Sequence, residues 1–150
     1  SEMCIRDRSL KTLPVRMERH FHNAECIANF LFENQSRLGI EYINYPGLKD
    51  HPGHEIAKSQ MHGYGSIITI VVDGGLKRAD TVLQRCSLFH FAVSLGGVES
   101  LIQHPSSMTH AAIPRERREE IGLVDGLIRL SVGLESIEDL IGDLEQALQY

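Results

Sequence analysis

The run Ile67–Val72, IITIVV, limits what this chain can fold into more than any other stretch. Its residues are β-branched, a shape that packs well on a pleated sheet and loses rotamer freedom in a helix. With Ser66 it reads as a central strand, and its lack of a polar alternation predicts burial on both faces. The run is far too short to span a bilayer, which takes about 20 apolar residues. The rest of the chain must therefore supply neighbouring strands and something to cover them.

Three segments have helical periodicity. Leu10–Asn34 places Leu13, Met17, Phe21, Ala24, Ile27, Ala28, Leu31 and Phe32 on one stripe, with Arg16, Glu18, Arg19, His22 and Glu25 opposite. Pro14 fits only a first turn, which makes Thr12 the expected cap. Leu76–Cys86 turns Leu76, Ala79, Val82, Leu83 and Cys86 to one side. Ser136–Leu148 does the same with Ile137, Leu140, Ile141, Leu144 and Leu148. Ser136 caps that helix, and Glu138 and Asp139 occupy the turn where the helix dipole favours acids. A shorter helix, His54–Met61, is expected to bury Ile56, Ala57 and Met61, and Pro114 opens a charged one over Arg115–Glu120.

Ile40–Asn44, Leu88–Ala92, Val98–Ile102 and Leu127–Val132 read as further strands, punctuated by Tyr45-Pro46-Gly47, Asp73-Gly74-Gly75 and the irregular His104–His110. This mixed order predicts an α+β domain, within the broad α/β class: a small, mostly antiparallel sheet with helices on one face. At 150 residues it is one domain with room for a core. A net charge of −5, with Lys and Arg scattered, argues against a nucleic-acid or membrane-surface footprint.

Cys4, Cys26 and Cys86 have no Cys-x-x-Cys spacing, which fits a reducing, cytoplasmic setting with Cys26 and Cys86 as small buried residues. The eight His residues show no ligand spacing. His20 and His22 lie two apart on a helix and point apart, so surface or capping roles are expected for them and no metal site. SEMCIRDRS, residues 1–9, does not begin with Met and shows neither periodicity nor caps. It resembles an adapter-derived leader translated from the end of a sequencing contig, so residues 1–9 are expected to be non-native and the chain to be cut from a longer one. A genomic sequence encoding these residues as a true start would refute this.

Two positions carry candidate chemistry. In Leu127–Val132 the alternation sends Ile128, Leu130 and Val132 to the helix-facing side and Leu127, Arg129 and Ser131 to the other. Arg129 is either a solvated residue on an open face or a planar fork for a carboxylate. Ser94 precedes Gly96-Gly97, which is either a plain turn or a place where backbone approaches a ligand closely. Ala92-Val93-Ser94-Leu95-Gly96 falls one residue short of a hydrolase nucleophile elbow, but paired glycines start a helix poorly and no acid-then-His order follows.

The segments KTLPVRMERH, YPGL, HPGHEIAKSQM, SLGGVESLIQHPSSMTH and DGLIRLSVGLESIEDLIGDLEQAL resemble, in order from Leu10 to Tyr150, the C-terminal domain of the pyridoxal-phosphate-dependent Cys/Met-metabolism (trans-sulfuration) enzymes. That family includes cystathionine γ-synthase, cystathionine γ- and β-lyases, methionine γ-lyase and homoserine-ester sulfhydrylases. The resemblance implies the C-terminal subdomain of an aspartate aminotransferase-like, fold type I enzyme. It implies residues 10–35 as a linking helix, 36–150 as the small domain, and a large cofactor-binding domain elsewhere in the enzyme. It assigns the substrate α-carboxylate to Arg129 and Ser94, and pocket-lining positions to Val93, Leu95 and Thr109. Val93 looks more like methionine γ-lyase than like the members with Glu there.

The family anchors pyridoxal 5′-phosphate on a Lys in a Ser/Thr-rich segment, and Lys11, Lys49, Lys58 and Lys77 lie in no such context. The expected role is the carboxylate-binding part of a C–S lyase or homoserine-ester γ-replacement enzyme, with no catalytic residue of its own and inactive alone. The implied partners are a sulfur amino-acid substrate, the large domain of the same chain and copies of the enzyme in a tetramer. The competing expectation is a non-catalytic amino-acid-binding module of the same fold.

Overall fold

The computed structural model describes residues 2–149, with side chains from Arg6 onward. Seven helices and five strands run in the order α1 (Glu2–Lys11), α2 (Leu13–Glu33), α3 (Gln35–Leu38), β1 (Ile40–Asn44), α4 (His54–Gln60), β2 (Ile67–Val72), α5 (Gly75–Arg85), β3 (His90–Phe91), β4 (Leu101–Gln103), α6 (Arg115–Glu120), β5 (Leu127–Ser131) and α7 (Ile137–Leu148) among the described residues. The strands form one sheet in the order β1-β2-β5-β4-β3. Every pairing is antiparallel except β3 with β4. The expected α+β layer, mostly antiparallel, is the layer observed.

Helices α2 and α5 pack on one face of this sheet, and α7 packs against both helices. The core between them holds Ala24, Ile27, Ala28 and Leu31 of α2, Ile68, Ile70 and Val72 of β2, Ala79, Val82 and Leu83 of α5, Ile128 and Leu130 of β5, and Leu140, Leu144 and Leu148 of α7. Strand β2 departs from its expected burial on both faces. Ile68, Ile70 and Val72 are buried while Ile67, Thr69 and Val71 are half-buried, because helices cover one side only. β-branched residues suit either side of a sheet, so the run fixed the strand but not its second cover.

Several expected core positions lie outside it. Leu13, Phe32, Ile56, Met61 and Leu76 are exposed. Each falls at the end of its helix or on the short α4, where the periodic stripe outruns the sheet beneath it. In α4 only His54 and Ala57 are buried, with the His54 ring stacked on Tyr64 at 5.6 Å. Thr12 makes no cap bond. Its hydroxyl donates to Ser9 O at 3.4 Å, since α1 already runs through Lys11. Residues 6–11 of α1 are all exposed, which is why apolar periodicity gave no sign of it. The side chain of Cys4 lies outside the described residues.

Of the surface or capping roles expected for it, His20 does not take the surface one: it is buried against a backbone carbonyl. Its Nδ1–H donates to Val132 O at 2.7 Å. Asn23, one turn on, donates to Gly133 O and Glu135 O, each at 3.0 Å. Both satisfy carbonyls of the segment that leaves β5, where the ladder has ended and no strand can. Asp143 of α7 plays the matching part for the entry to β3, accepting from the N–H groups of Ser87, Leu88 and Phe89 at 2.8, 2.8 and 3.2 Å. Ser136 caps α7 as expected, accepting from Asp139 N.

Candidate functional site

The face of the sheet that the helices leave uncovered is built from the residues that alternate outward. In register, Asn44 of β1 pairs with Thr69 of β2, Thr69 with Arg129 of β5, and Arg129 with Gln103 of β4. Residues directly opposite on neighbouring strands share a face. One polar row therefore crosses four strands, with the guanidinium in its interior. The next row on that face is apolar, Tyr42, Val71 and Leu127. The irregular chain between β4 and β5 folds over one end, contributing Pro105, His110, Ile121, Gly122 and Leu123. The result is a hollow of about 420 Å³ that is polar along one row and apolar along the next.

Arg129 is half-buried on the floor of this hollow. Its Nη2 donates to Gln103 Oε1 at 2.9 Å and to Ser94 O at 3.3 Å. Both acceptors are neutral, and among the described residues no carboxylate pairs with it. Burial pulls its pKa below the ordinary arginine value. It stays charged, since arginine begins far above neutral pH. A positive charge that has lost water and gained only neutral partners favours an anion, and a planar fork favours a carboxylate.

The loop 93–97 crosses above it. Ser94 and Arg129, distant in sequence, thus meet, but through the Ser94 carbonyl. The Ser94 hydroxyl makes no hydrogen bond among the described residues. Gly96 donates its N–H to Ser131 Oγ at 2.9 Å. No helix follows Ser94, as a nucleophile elbow would need. Val93 and Leu95, each 55% exposed, do not line the hollow. Thr109 is exposed too, and its Oγ1 bonds the His110 ring, which does line it, at 2.7 Å.

Sequence reasoning missed Gln103, Thr69 and Asn44. Gln103 is only 2% exposed and extends β4 one residue past the expected end. The signal that could have found these residues is strand register, which emerges only once the pairing is known.

The profile of the Cys/Met metabolism PLP-dependent enzymes matches residues 2–149. The chain belongs to that family. It is 51% identical over 142 residues to the L-methionine gamma-lyase of Fusobacterium nucleatum subsp. polymorphum, covering 95% of this chain and 35% of that protein. It is 52% identical over 141 residues to the cystathionine gamma-lyase of Dictyostelium discoideum, covering 94% and 36%. The cystathionine gamma synthase of Xanthomonas oryzae pv. oryzae, solved in complex with aminoacrylate and cysteine, superposes with a TM-score of 0.86 at 43% identity, over 94% of this chain and 36% of that one. The chain thus spans about a third of the length of the relatives it matches. Its fold is that of the PLP-dependent fold type I synthase part it superposes on.

The residues of the hollow do not fit the family's cofactor. Pyridoxal phosphate is an aldehyde that an enzyme holds on a lysine amine. Lys11, Lys49, Lys58 and Lys77 are all exposed, and none lines the hollow. Arg129 offers charge and hydrogen bonds but no nucleophile. Among the described residues no group of three or more His, Cys, Asp or Glu is placed to hold a metal ion, and no helix is long and apolar enough to cross a membrane.

Proposed function

We propose that this chain is the substrate-carboxylate-binding part of a pyridoxal-phosphate-dependent trans-sulfuration enzyme, a C–S lyase or a homoserine-ester γ-replacement enzyme of sulfur amino-acid metabolism. The observation that carries this reading is Arg129: a half-buried guanidinium bound only to the neutral oxygens of Gln103 and Ser94, on the floor of a hollow. The likeness to a synthase solved with aminoacrylate and cysteine supports it, because both of those molecules bear a carboxylate.

Arg129 binds the substrate's α-carboxylate, and Ser94 positions it through the loop above. Fixing one end of the substrate fixes the direction of its α-carbon, and orientation of this kind supplies a large part of enzymatic rate enhancement. The cofactor and its lysine belong to the rest of the enzyme, as does the other wall of the site. Val93, Leu95 and Thr109, exposed here, line the pocket once that wall is present. The substrate is a sulfur amino acid or homoserine ester, and the intact enzyme is a homo-oligomer, a tetramer. Free thiols at Cys26 and Cys86 suit a reducing cytoplasm.

The test is kinetic, in the full-length enzyme. Arg129→Ala should lower kcat/KM by about 2–5 kcal/mol, mostly through the unpaired carboxylate. Arg129→Lys should recover little of it, because a point charge does not reproduce the fork. Kinetics unchanged in both variants would remove Arg129 from the site. A full-length protein that binds amino acids with the same Arg129 dependence but turns over no sulfur substrate would favour the non-catalytic module instead.

A further inference from the structure

We infer that Ser131 is a positioning residue of the carboxylate site, fixing the loop 93–97 above Arg129. This rests on the reading of Arg129 as the carboxylate binder.

The loop follows β3 and is first held at Ala92, whose N–H donates to Ile102 O at 3.2 Å. It is next held at Val98, whose carbonyl accepts from Leu134 N at 2.9 Å. Between those points two hydrogen bonds tether it among the described residues, and both come from β5. Arg129 Nη2 donates to Ser94 O at 3.3 Å, and Gly96 N–H donates to Ser131 Oγ at 2.9 Å. Packing does not replace them, since Val93, Ser94, Leu95 and Gly96 are exposed. Gly96, at φ +74° with open space around it, lets the chain turn there but presses it against nothing.

The two tethers differ in what a ligand does to them. The Arg129 tether is the longer one, and it uses a guanidinium N–H that an arriving carboxylate competes for. The Ser131 tether involves no group on the ligand's path. Ser131 is 1% exposed and lies in the best-supported strand, paired with Ile67 on one side and Leu101 on the other. It is two residues from Arg129 on the same face, so the rigidity of β5 fixes the offset between peg and guanidinium. When Arg129 turns to a carboxylate, Ser131 keeps the loop in place above it.

The experiment compares binding of L-norleucine and L-norleucinamide to the full-length protein by calorimetry, with thermal unfolding measured alongside. The two probes differ at the carboxylate alone, so their affinity ratio reports that site, and a change in general stability leaves the ratio unmoved. The wild type should prefer the acid, and Arg129→Ala should abolish the preference. Ser131→Ala should cut the preference by about five- to tenfold, the worth of one or so hydrogen bonds. Ser131→Thr, which retains the hydroxyl, should restore it. If Ser131→Ala does not fold, Ser131→Cys, of similar volume but a weaker acceptor, should show the same loss. Full preference in a folded Ser131→Ala or Ser131→Cys, with preference lost in Arg129→Ala, overturns the role of Ser131 and leaves the carboxylate reading standing. Preference retained in Arg129→Ala overturns the reading beneath it.

Discussion

The two faces of β5 carry different kinds of information. On one side Ile128, Leu130 and the following Val132 are fully buried against helices. On the other, Leu127, Arg129 and Ser131 meet neighbouring strands, a loop and a hollow. The first face is held by area removed from water, which is non-directional and tolerates many apolar residues. The second is held by directed bonds, each with one donor and one acceptor in a stated place. Side chains adjacent in sequence should therefore fail in different ways when changed.

Leu130→Ala should give the largest effect and confine it to stability. A buried Leu truncated in a packed core costs about 2–5 kcal/mol, read as a lower denaturant midpoint, while the acid-over-amide preference of the folded fraction stays intact. Arg129→Ala should reverse that pattern, with its loss in kcat/KM and unfolding free energy changed by less than about 1 kcal/mol, since losing one long, exposed hydrogen bond and one shorter, part-buried one is offset by removing a desolvated charge. If both variants lose stability equally, the two faces are not distinct.

Asp143→Asn sharpens the comparison on the covered side, where one directed site is embedded among apolar contacts. The carboxylate accepts from the backbone N–H groups of three successive residues, Ser87 to Phe89. An amide can accept with one oxygen only, so a loss of about 1–3 kcal/mol in unfolding free energy is expected, with substrate recognition unchanged.

The smallest effect concerns pH. Cys86 packs against the core, and burial first, then the nearby Asp143 charge, pushes its thiol up to about 12 from an ordinary 9.0. The folded chain thus keeps a proton that the unfolded chain releases above pH 9. Its contribution to stability is complete below that value and is lost as pH rises through the folded pKa. Cys86→Ala should flatten the alkaline fall in stability. The thiol itself should react more slowly with iodoacetamide at pH 8 than a free cysteine does, because the thiolate is the nucleophile.

The periodic helices, the strands and the inward set of β5 were legible because burial imposes a period of 3.6 or 2 on apolar residues whatever their partner. The resemblance carried by the SLGG and RLSVG motifs pointed to Ser94 and Arg129 as a pair. The structure shows why these motifs run on beyond the two positions. Gly133 follows β5 where a Cβ would lie 2.4 Å from Val98 O, and Ser100 Oγ bridges Glu135 and the Gly133 N–H. Much of the motif is thus the joint between two chain segments.

The buried His20, Asn23 and Asp143 were not legible, nor was the polar row Asn44–Thr69–Arg129–Gln103. A polar side chain is buried only where a backbone group elsewhere needs a partner, and no local pattern records where that group ends up. The sequence alone determined the type and order of most elements and, along their middles, which side turns inward, because those follow from spacing along one chain. The tertiary structure alone decided which residues of different strands lie side by side, because register is fixed by pairing between segments far apart in sequence. In this chain that pairing places neutral acceptors beside Arg129 and leaves its charge available to an anion.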